Sequence, residues 1–533
     1  MNEEKSLIEK IMNEPQPIPR KVPDYMRKKG GIWYWTGAMI MITFFYEVIT
    51  GVILLFYYQP SNAYNSTISF LTQPFGTIIL TTHLYGAYLM IAFVYIHLLR
   101  NLFVGSYKKP RGSQWLTGVL LLILTVAAGY FGYSLTGDVL SADATDVGRG
   151  IAAATPFIGS YLELIFFGAG TSIELFQRLE AWHIIIAGTI FLLFAIHFYM
   201  AEYNTIMPDP KESNYKAPLI DKDDKNYKPW YPYNLMYMIQ IAFSTLALIL
   251  IIPSAFALIP NIPPLLSPFP QVSPTSPLAS QVPPYPPWFL LFVYKELDFQ
   301  FASVIGPFWA VAIFTGMPLI YLFLIPLIDR NNDLKPSRRP LIIATGIVGI
   351  FYYVALSIWG AFRPGVPVPN SLALIFFVIP LVIMVPLIYY LAGNFEKEKY
   401  KNPNAWKIMA LVSIAGFFGF LSGMSIYSLI STGSALSLGE TVASLVFLAL
   451  TILAIYAVYG GVKINKNPIR MTGTGYTVFG AVYGLLAVWI FTMISFIPMT
   501  STRDQALTGI GLGIIFFISA VLTKIYRAYA YGE

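Results

Sequence analysis

Four histidines are the only ones in this 533-residue chain, and they lie in two long apolar segments as His83 with His97 and His183 with His197. Within each pair the numbers differ by 14, close to four helical turns at ~3.6 residues per turn. Both imidazoles of a pair therefore share one helix face, about 21 Å apart at ~1.5 Å rise per residue. Neutral imidazole is a good axial ligand for heme iron, and two of them fill both axial positions, which leaves the metal for electron transfer rather than oxygen binding. A single histidine in an apolar helix is most simply a polar residue bonded to a neighbouring helix, and proton relay in a heme-free transporter is another use for such residues. Two equally spaced pairs favour two hemes, the outer on His83 and His183 and the inner on His97 and His197.

Glycines repeat the same spacing. Gly37 and Gly51 differ by 14, as do Gly118 and Gly132, and each pair lies in the apolar segment before a histidine pair. A porphyrin wedged between helices needs close backbone approach, which a residue without a side chain permits. Helix direction puts Gly37 and Gly118 level with His97 and His197, and Gly51 and Gly132 level with His83 and His183. Arg100 follows His97 by three residues and Arg178 precedes His183 by five. Guanidinium suits a carboxylate such as a heme propionate, and interfacial anchoring is the other use of an arginine at that depth.

The elements that must carry these residues are membrane helices. The chain is 56% hydrophobic and 11% charged, which excludes a soluble globular class. The net charge of +7 comes from basic connecting loops and calls for no nucleic-acid partner. Without cysteine, the chain has no thiolate-bound cluster or disulfide of its own. Runs of roughly 20 apolar residues predict an all-α polytopic membrane protein with about twelve spans. They fall at 32–58, 76–104, 114–136, 172–203, 232–259, 303–328, 340–362, 370–392, 406–431, 440–461, 473–498 and 507–528. Basic residues concentrate in alternate loops, so the positive-inside rule puts both termini in the cytoplasm. Residues 1–31 lack signal-peptide features and are expected at the membrane surface. The segment 137–171 is expected to hold short surface helices, whereas the proline-rich 260–287 is expected to be neither helix nor central strand.

At this point the chain resembles cytochrome b, the diheme subunit of the quinol:cytochrome c reductase family, over roughly residues 30–395. The resemblance rests on the four histidines and four glycines and on His97-Leu98-Leu99-Arg100, Gly105-Ser106-Tyr107, Gly132-Tyr133 and Pro156-Phe157-Ile158-Gly159. The 13 residues between His183 and His197 match the respiratory branch. The family's outer quinol motif reads Pro286-Pro287-Trp288-Phe289 here, its carboxylate replaced by Pro287. Tyr294 matches a family tyrosine, and Glu296 and Asp298 are the nearby carboxylates. At the inner quinone site Tyr237 and Met238 stand where lysine and aspartate are usual, and Glu202 where histidine is common. Helices after residue 405 lie beyond the family's usual eight and resemble extended archaeal respiratory forms, some of which associate with a terminal oxidase or carry an a-type heme.

The resulting expectation is a surface segment 1–31, a diheme four-helix bundle 32–220, a C-terminal cytochrome b domain 221–395 with the outer quinol motif, and a four-helix extension 396–533 as scaffold or docking surface. The resemblance implies a quinol oxidoreductase subunit of a prokaryotic plasma membrane. Quinol would be oxidised at the outer side by Trp288, Phe289, Tyr294 and Glu296, with two b-type hemes and a Rieske iron-sulfur protein as partners, in a homodimer or supercomplex. An electron relay that has lost the inner quinone site is the alternative within the same class.

Overall fold

The computed structural model describes residues 21–23, 26–27, 31–204, 227–394 and 473–532. Among these, ten helices are long and apolar enough to cross a membrane: α1 Gly31–Leu55, α2 Gly76–Val104, α3 Gly112–Ser134, α4 Ser172–Tyr203, α5 Trp230–Ala257, α6 Pro307–Ile328, α7 Pro340–Phe362, α8 Asn370–Gly393, α9 Gly473–Ser495 and α10 Thr502–Tyr531. Their backbones must be satisfied within each segment because a bilayer interior offers no water to the peptide groups. The expected spans at 406–431 and 440–461 lie outside the described residues. A three-residue antiparallel ribbon, Lys21–Pro23 with Tyr227–Pro229, is the only sheet among the described residues.

The chain divides into two compact units. The first holds the described residues up to Leu290, then Ala302–Leu334 and the C-terminal helices. In it α1 packs on α2, α2 on α3 and α3 on α4, which makes a four-helix bundle. Its core joins Phe44, Met90, Ala128, Phe131, Leu179, Ile186 and Ile190. Three of these sit seven residues from a histidine or glycine of each level: Phe44 between Gly37 and Gly51, Met90 between His83 and His97, and Ile190 between His183 and His197. These three residues thus lie in the layer that separates the two histidine levels.

The two long connections are built as expected. Helices at Val139–Ala153 and Gly159–Phe167 occupy the 137–171 segment, while 260–287 carries only short turns such as Pro264–Leu266. Asp138 caps the first of these helices by accepting from Ser141 N at 2.9 Å, and its other oxygen accepts from Gln271 N at 2.6 Å. One carboxylate therefore ends a helix and fastens the proline-rich segment to it. On the opposite side, buried Lys108 pairs with Asp329, which also accepts from Tyr107 Oη at 2.5 Å. That cluster ties the α2–α3 turn to the end of α6.

The helix α10 lies along α5. Small residues set that approach, because a Cβ on Gly513 would come within 2.5 Å of Ile251 Cγ1. Gln505 anchors its N-terminal end: its Oε1 accepts from Thr77 N at 2.8 Å, and its Nε2 donates to the carbonyls of Leu71 and Gln73 at 3.2 and 3.0 Å. At the other end Arg527 donates to Gln240 Oε1 at 2.8 Å and lies 4.4 Å from the Tyr237 ring centroid. The final helix is thus part of the first unit and not an appendage to it.

The second unit comprises Leu291–Phe301 with 335–394. Its short helix Leu291–Leu297 packs on α7. Phe299 is fully buried among Trp359, Phe376 and Phe377, with ring centroids at 5.6, 6.5 and 5.2 Å.

Replacing Gln505 by Leu strands the buried Thr77 N–H, while the Leu71 and Gln73 carbonyls keep Thr77 Oγ1 at 2.9 Å and Gly76 N at 2.8 Å as donors. Unsatisfied buried groups cost about 1–3 kcal/mol each, so the thermal midpoint of the detergent-solubilised protein is expected to fall by several degrees, whereas Thr477→Val on exposed α9 should leave it unchanged. In the 137–171 segment, burial first and then the Asp146 and Asp138 charges raise the Asp143 carboxyl above its ordinary value. A raised carboxyl binds its proton more tightly folded than unfolded, so the stability it lends is complete below ~3.9 and is lost as pH rises through the raised value. Hydrogen exchange within Val139–Ala153 should therefore quicken as pH rises through that window, after correction for intrinsic rates, and Asp143→Asn should remove the dependence.

Candidate functional site

The two histidine pairs face each other across α2 and α4. His83 and His183 have ring centroids 6.4 Å apart with planes at 78°, and His97 and His197 have them 6.5 Å apart at 71°. A metal–imidazole bond is about 2 Å and the centroid lies about 1.15 Å behind the nitrogen, so two imidazoles on opposite sides of one iron put their centroids roughly 6.3 Å apart. Both gaps match that value. A tetrahedral zinc needs about four donors, and no group of three or more His, Cys, Asp or Glu gathers among the described residues. Two facing imidazoles with the other positions left to a planar ligand are what a bis-histidine heme requires.

The Nδ1 atoms decide which nitrogen is offered. Thr36 Oγ1 lies 2.9 Å from His97 Nδ1, Thr50 Oγ1 2.9 Å from His83 Nδ1, and Thr117 Oγ1 3.1 Å from His197 Nδ1. Each hydroxyl gives its own proton to a backbone carbonyl, of Trp33, Tyr46 and Gln114 respectively. Its oxygen is then left to accept from the imidazole. His183 Nδ1 is 3.0 Å from the Ala128 carbonyl, which can only accept. All four rings consequently carry the proton on Nδ1 and present an Nε2 lone pair, the form that ligates a metal.

The glycines stand against the imidazoles themselves. A Cβ on Gly37 would meet His97 Cε1 at 3.4 Å, on Gly51 His83 Cε1 at 3.3 Å, on Gly118 His197 Cε1 at 3.1 Å and on Gly132 His183 Cε1 at 2.7 Å. The level matching read from spacing is the one observed. The threonines were not foreseen, although the signal was there: Thr36-Gly37, Thr50-Gly51 and Thr117-Gly118 repeat a dipeptide in which glycine admits the ring and threonine holds its edge. Phe131-Gly132 breaks the pattern, and the Ala128 carbonyl takes the place of the hydroxyl. Glu47 was missed as well. Its Oε2 lies 3.0 Å from His83 Nδ1.

Around the pairs, Arg100 stands over the Tyr34 ring at 4.3 Å and donates to Asn101. Arg178 pairs with Glu174 at 3.0 Å, and its Nη1 reaches the Ile165 carbonyl at 3.5 Å. Its buried Nε has no hydrogen-bond partner among the described residues. Trp288 and Phe289 belong to the first unit. Trp288 lies edge-on to Tyr88 and Tyr95, with centroids at 6.3 and 6.5 Å. Buried Phe289 would touch a Cβ on Gly129 at 3.0 Å, one turn before Gly132. Tyr294 and Glu296 lie on the short helix of the second unit, where Glu296 is buried. In that unit Asp298 pairs with Lys295 at 3.0 Å. Burial nevertheless holds the Asp298 carboxyl above its ordinary value and the Lys295 ammonium below its own. Tyr237 packs on Trp35 at 5.1 Å and under Arg527.

A family model described as "Cytochrome b(N-terminal)/b6/petB" matches residues 88–274. A "Cytochrome b" of Sulfolobus acidocaldarius is 34% identical over 98% of this chain and 97% of its own. The chain belongs to the cytochrome b family. The near full-length match includes the helices beyond the usual eight, so this is the extended archaeal type. A "Cytochrome bc complex cytochrome b subunit" of Chlorobaculum thiosulfatiphilum is 27% identical over 61% of this chain and 74% of its own. A solved chain of a "Hyperthermophilic respiratory Complex III" shares the fold, with a TM-score of 0.54 and 23% identity over 74% of this chain and 96% of that one. Heme is the group that the name cytochrome denotes, and the facing imidazoles fit it.

The unequal glycine clearances give a graded test. Gly132→Ala would drive a methyl into His183 and is expected to lower the heme content by about half, whereas Gly37→Ala, at ordinary contact distance, should keep it within about a fifth of the unmodified protein. Pyridine hemochrome absorbance per protein reads both.

Proposed function

We propose that this chain is the diheme subunit of a respiratory bc-type complex that oxidises quinol at the outer side of the membrane. The observation that carries this reading is the pair of facing imidazole couples at 6.4 and 6.5 Å, each with Nδ1 held by an acceptor. His83 and His183 would hold the outer heme and His97 and His197 the inner, with Arg178 and Arg100 as the cations for their propionates. Two such b-type or a-type groups supply a path for single electrons across the bilayer. The quinol gives up two electrons and two protons. One electron goes to a Rieske iron-sulfur protein on another chain, and the second enters the diheme path.

Trp288 and Phe289 are the proposed aromatic wall on the first unit. Tyr294 and Glu296 are the polar groups proposed to take protons in place of the carboxylate that Pro287 lacks. Quinone reduction at the inner side would complete proton translocation. The complex is proposed to lie in a prokaryotic plasma membrane with both termini cytoplasmic, as a homodimer or within a supercomplex with a terminal oxidase. One observation favours the relay alternative: Tyr237, where the family's inner quinone site has a lysine, is packed between Trp35 and Arg527.

In the purified complex two hemes per chain are expected. His83→Leu and His97→Leu should each remove one and leave the other, read by hemochrome analysis and redox spectra on folded protein. Unchanged heme content in both variants would refute the ligand assignment. Glu296→Gln should slow quinol-driven heme reduction about tenfold or more while the heme content holds. Inhibitor-sensitive reoxidation of the inner heme by added quinone separates a working inner site from the relay.

A further inference from the structure

The side chain of Lys295, in the second unit, is fully buried. An ammonium has three protons to donate and accepts none. All three are met at 3.0 Å, by Asp298 Oδ2 and by the carbonyls of Arg363 and Val366. Nζ also lies 5.3 Å from the Trp359 ring centroid. Arg363 and Val366 belong to the connection between α7 and α8, which turns through Gly365 at a φ of +66°. Lys295 itself stands between Tyr294 and Glu296 on the short helix Leu291–Leu297. One side chain thus joins that helix to carbonyls 68 and 71 positions further along the chain. The backbone continues the seam: Val368 N donates to the Asp298 carbonyl at 2.8 Å, and Gln300 N to the Val368 carbonyl at 2.9 Å.

Taking a lysine out of water is costly, and apolar side chains of similar volume often stabilise a core as well as a buried ion pair or better. Stability alone therefore gives no reason for an ammonium here, whereas three fixed acceptors on one nitrogen hold two segments in register. Two of the three are carbonyls, which accept whatever the charge on Asp298. We propose that Lys295 is a positioning residue for quinol oxidation, fixing the helix that carries Tyr294 and Glu296 against the α7–α8 connection. The inference rests on the quinol reading of that helix. Without the clamp the two side chains would be presented over a range of positions, and a misplacement of about 1 Å can cost ~10²-fold in rate.

The test uses the purified complex, with duroquinol as electron donor and heme absorbance as the readout. Lys295→Met keeps the stem and removes the three donors. Its maximal rate of heme reduction is expected to fall at least about tenfold, while the half-maximal duroquinol concentration stays within about threefold and the heme content is unchanged. Hydrogen exchange should quicken at least about tenfold at Gln300 and Val368 and stay unchanged within α7 and α8. Gly365→Ala, strained by its positive φ, displaces the same carbonyls. It should show the same pattern and gives a reading if Lys295→Met fails to fold. A maximal rate within about threefold of the unmodified protein in either variant overturns the proposal. So does exchange that quickens through α7 and α8 as well, the mark of a general scaffold role. Unmodified complex whose hemes duroquinol does not reduce would instead overturn the quinol reading, and the exchange measurement would still test the clamp.

Discussion

The contact on which the bundle depends is an imidazole edge laid against bare backbone while its Nδ1 proton is claimed by an acceptor. At four places a helix must come near enough to meet a ring carbon and must also offer an oxygen beside it. Glycine satisfies the first demand and, at three of the four, the threonine before it satisfies the second. Together they fix the ring's position, its tautomer and the nitrogen it presents. The helix spacing in α1 to α4 follows from that requirement, and the apolar side chains of the core fill what remains.

Much of this could be read from residue order because the bundle repeats itself. A spacing of 14 on four helices is a periodic signal, and period survives without knowledge of tertiary contacts. The histidines, glycines and their level matching were legible for that reason, as were the ten described spans and the short helices of 137–171. What could not be read lies in contacts between distant or non-periodic residues. Glu47 has no counterpart at the inner level, where Trp33 stands 14 residues earlier, so periodicity gave no hint of it. Arg527 meets Tyr237 across 290 positions, and Gln505 meets Thr77 across 428. Pairings of that range depend on which helices pack together, which composition does not encode. Arg178 and Glu174, four apart on α4, were close enough to infer from helix geometry.

The C-terminal helix changes how the extension is understood. Gln505 completes the hydrogen bonding at the start of α2, the helix that carries His83 and His97, and α10 packs along α5 through glycine contacts. The added segment therefore helps hold one of the histidine-bearing helices in place. At its far end Arg527 brings a cation to the Tyr237 ring.

Between the two histidine levels lie Phe44, Met90 and Ile190, each midway in its helix, with Thr125 at the same height on α3. None of the four can gain or lose a proton in the physiological range. A negative charge moved from one level to the other would therefore travel unaccompanied through this plug. Such a step is electrogenic: the membrane voltage opposes it in one direction and assists it in the other, in proportion to the fraction of the field spanned.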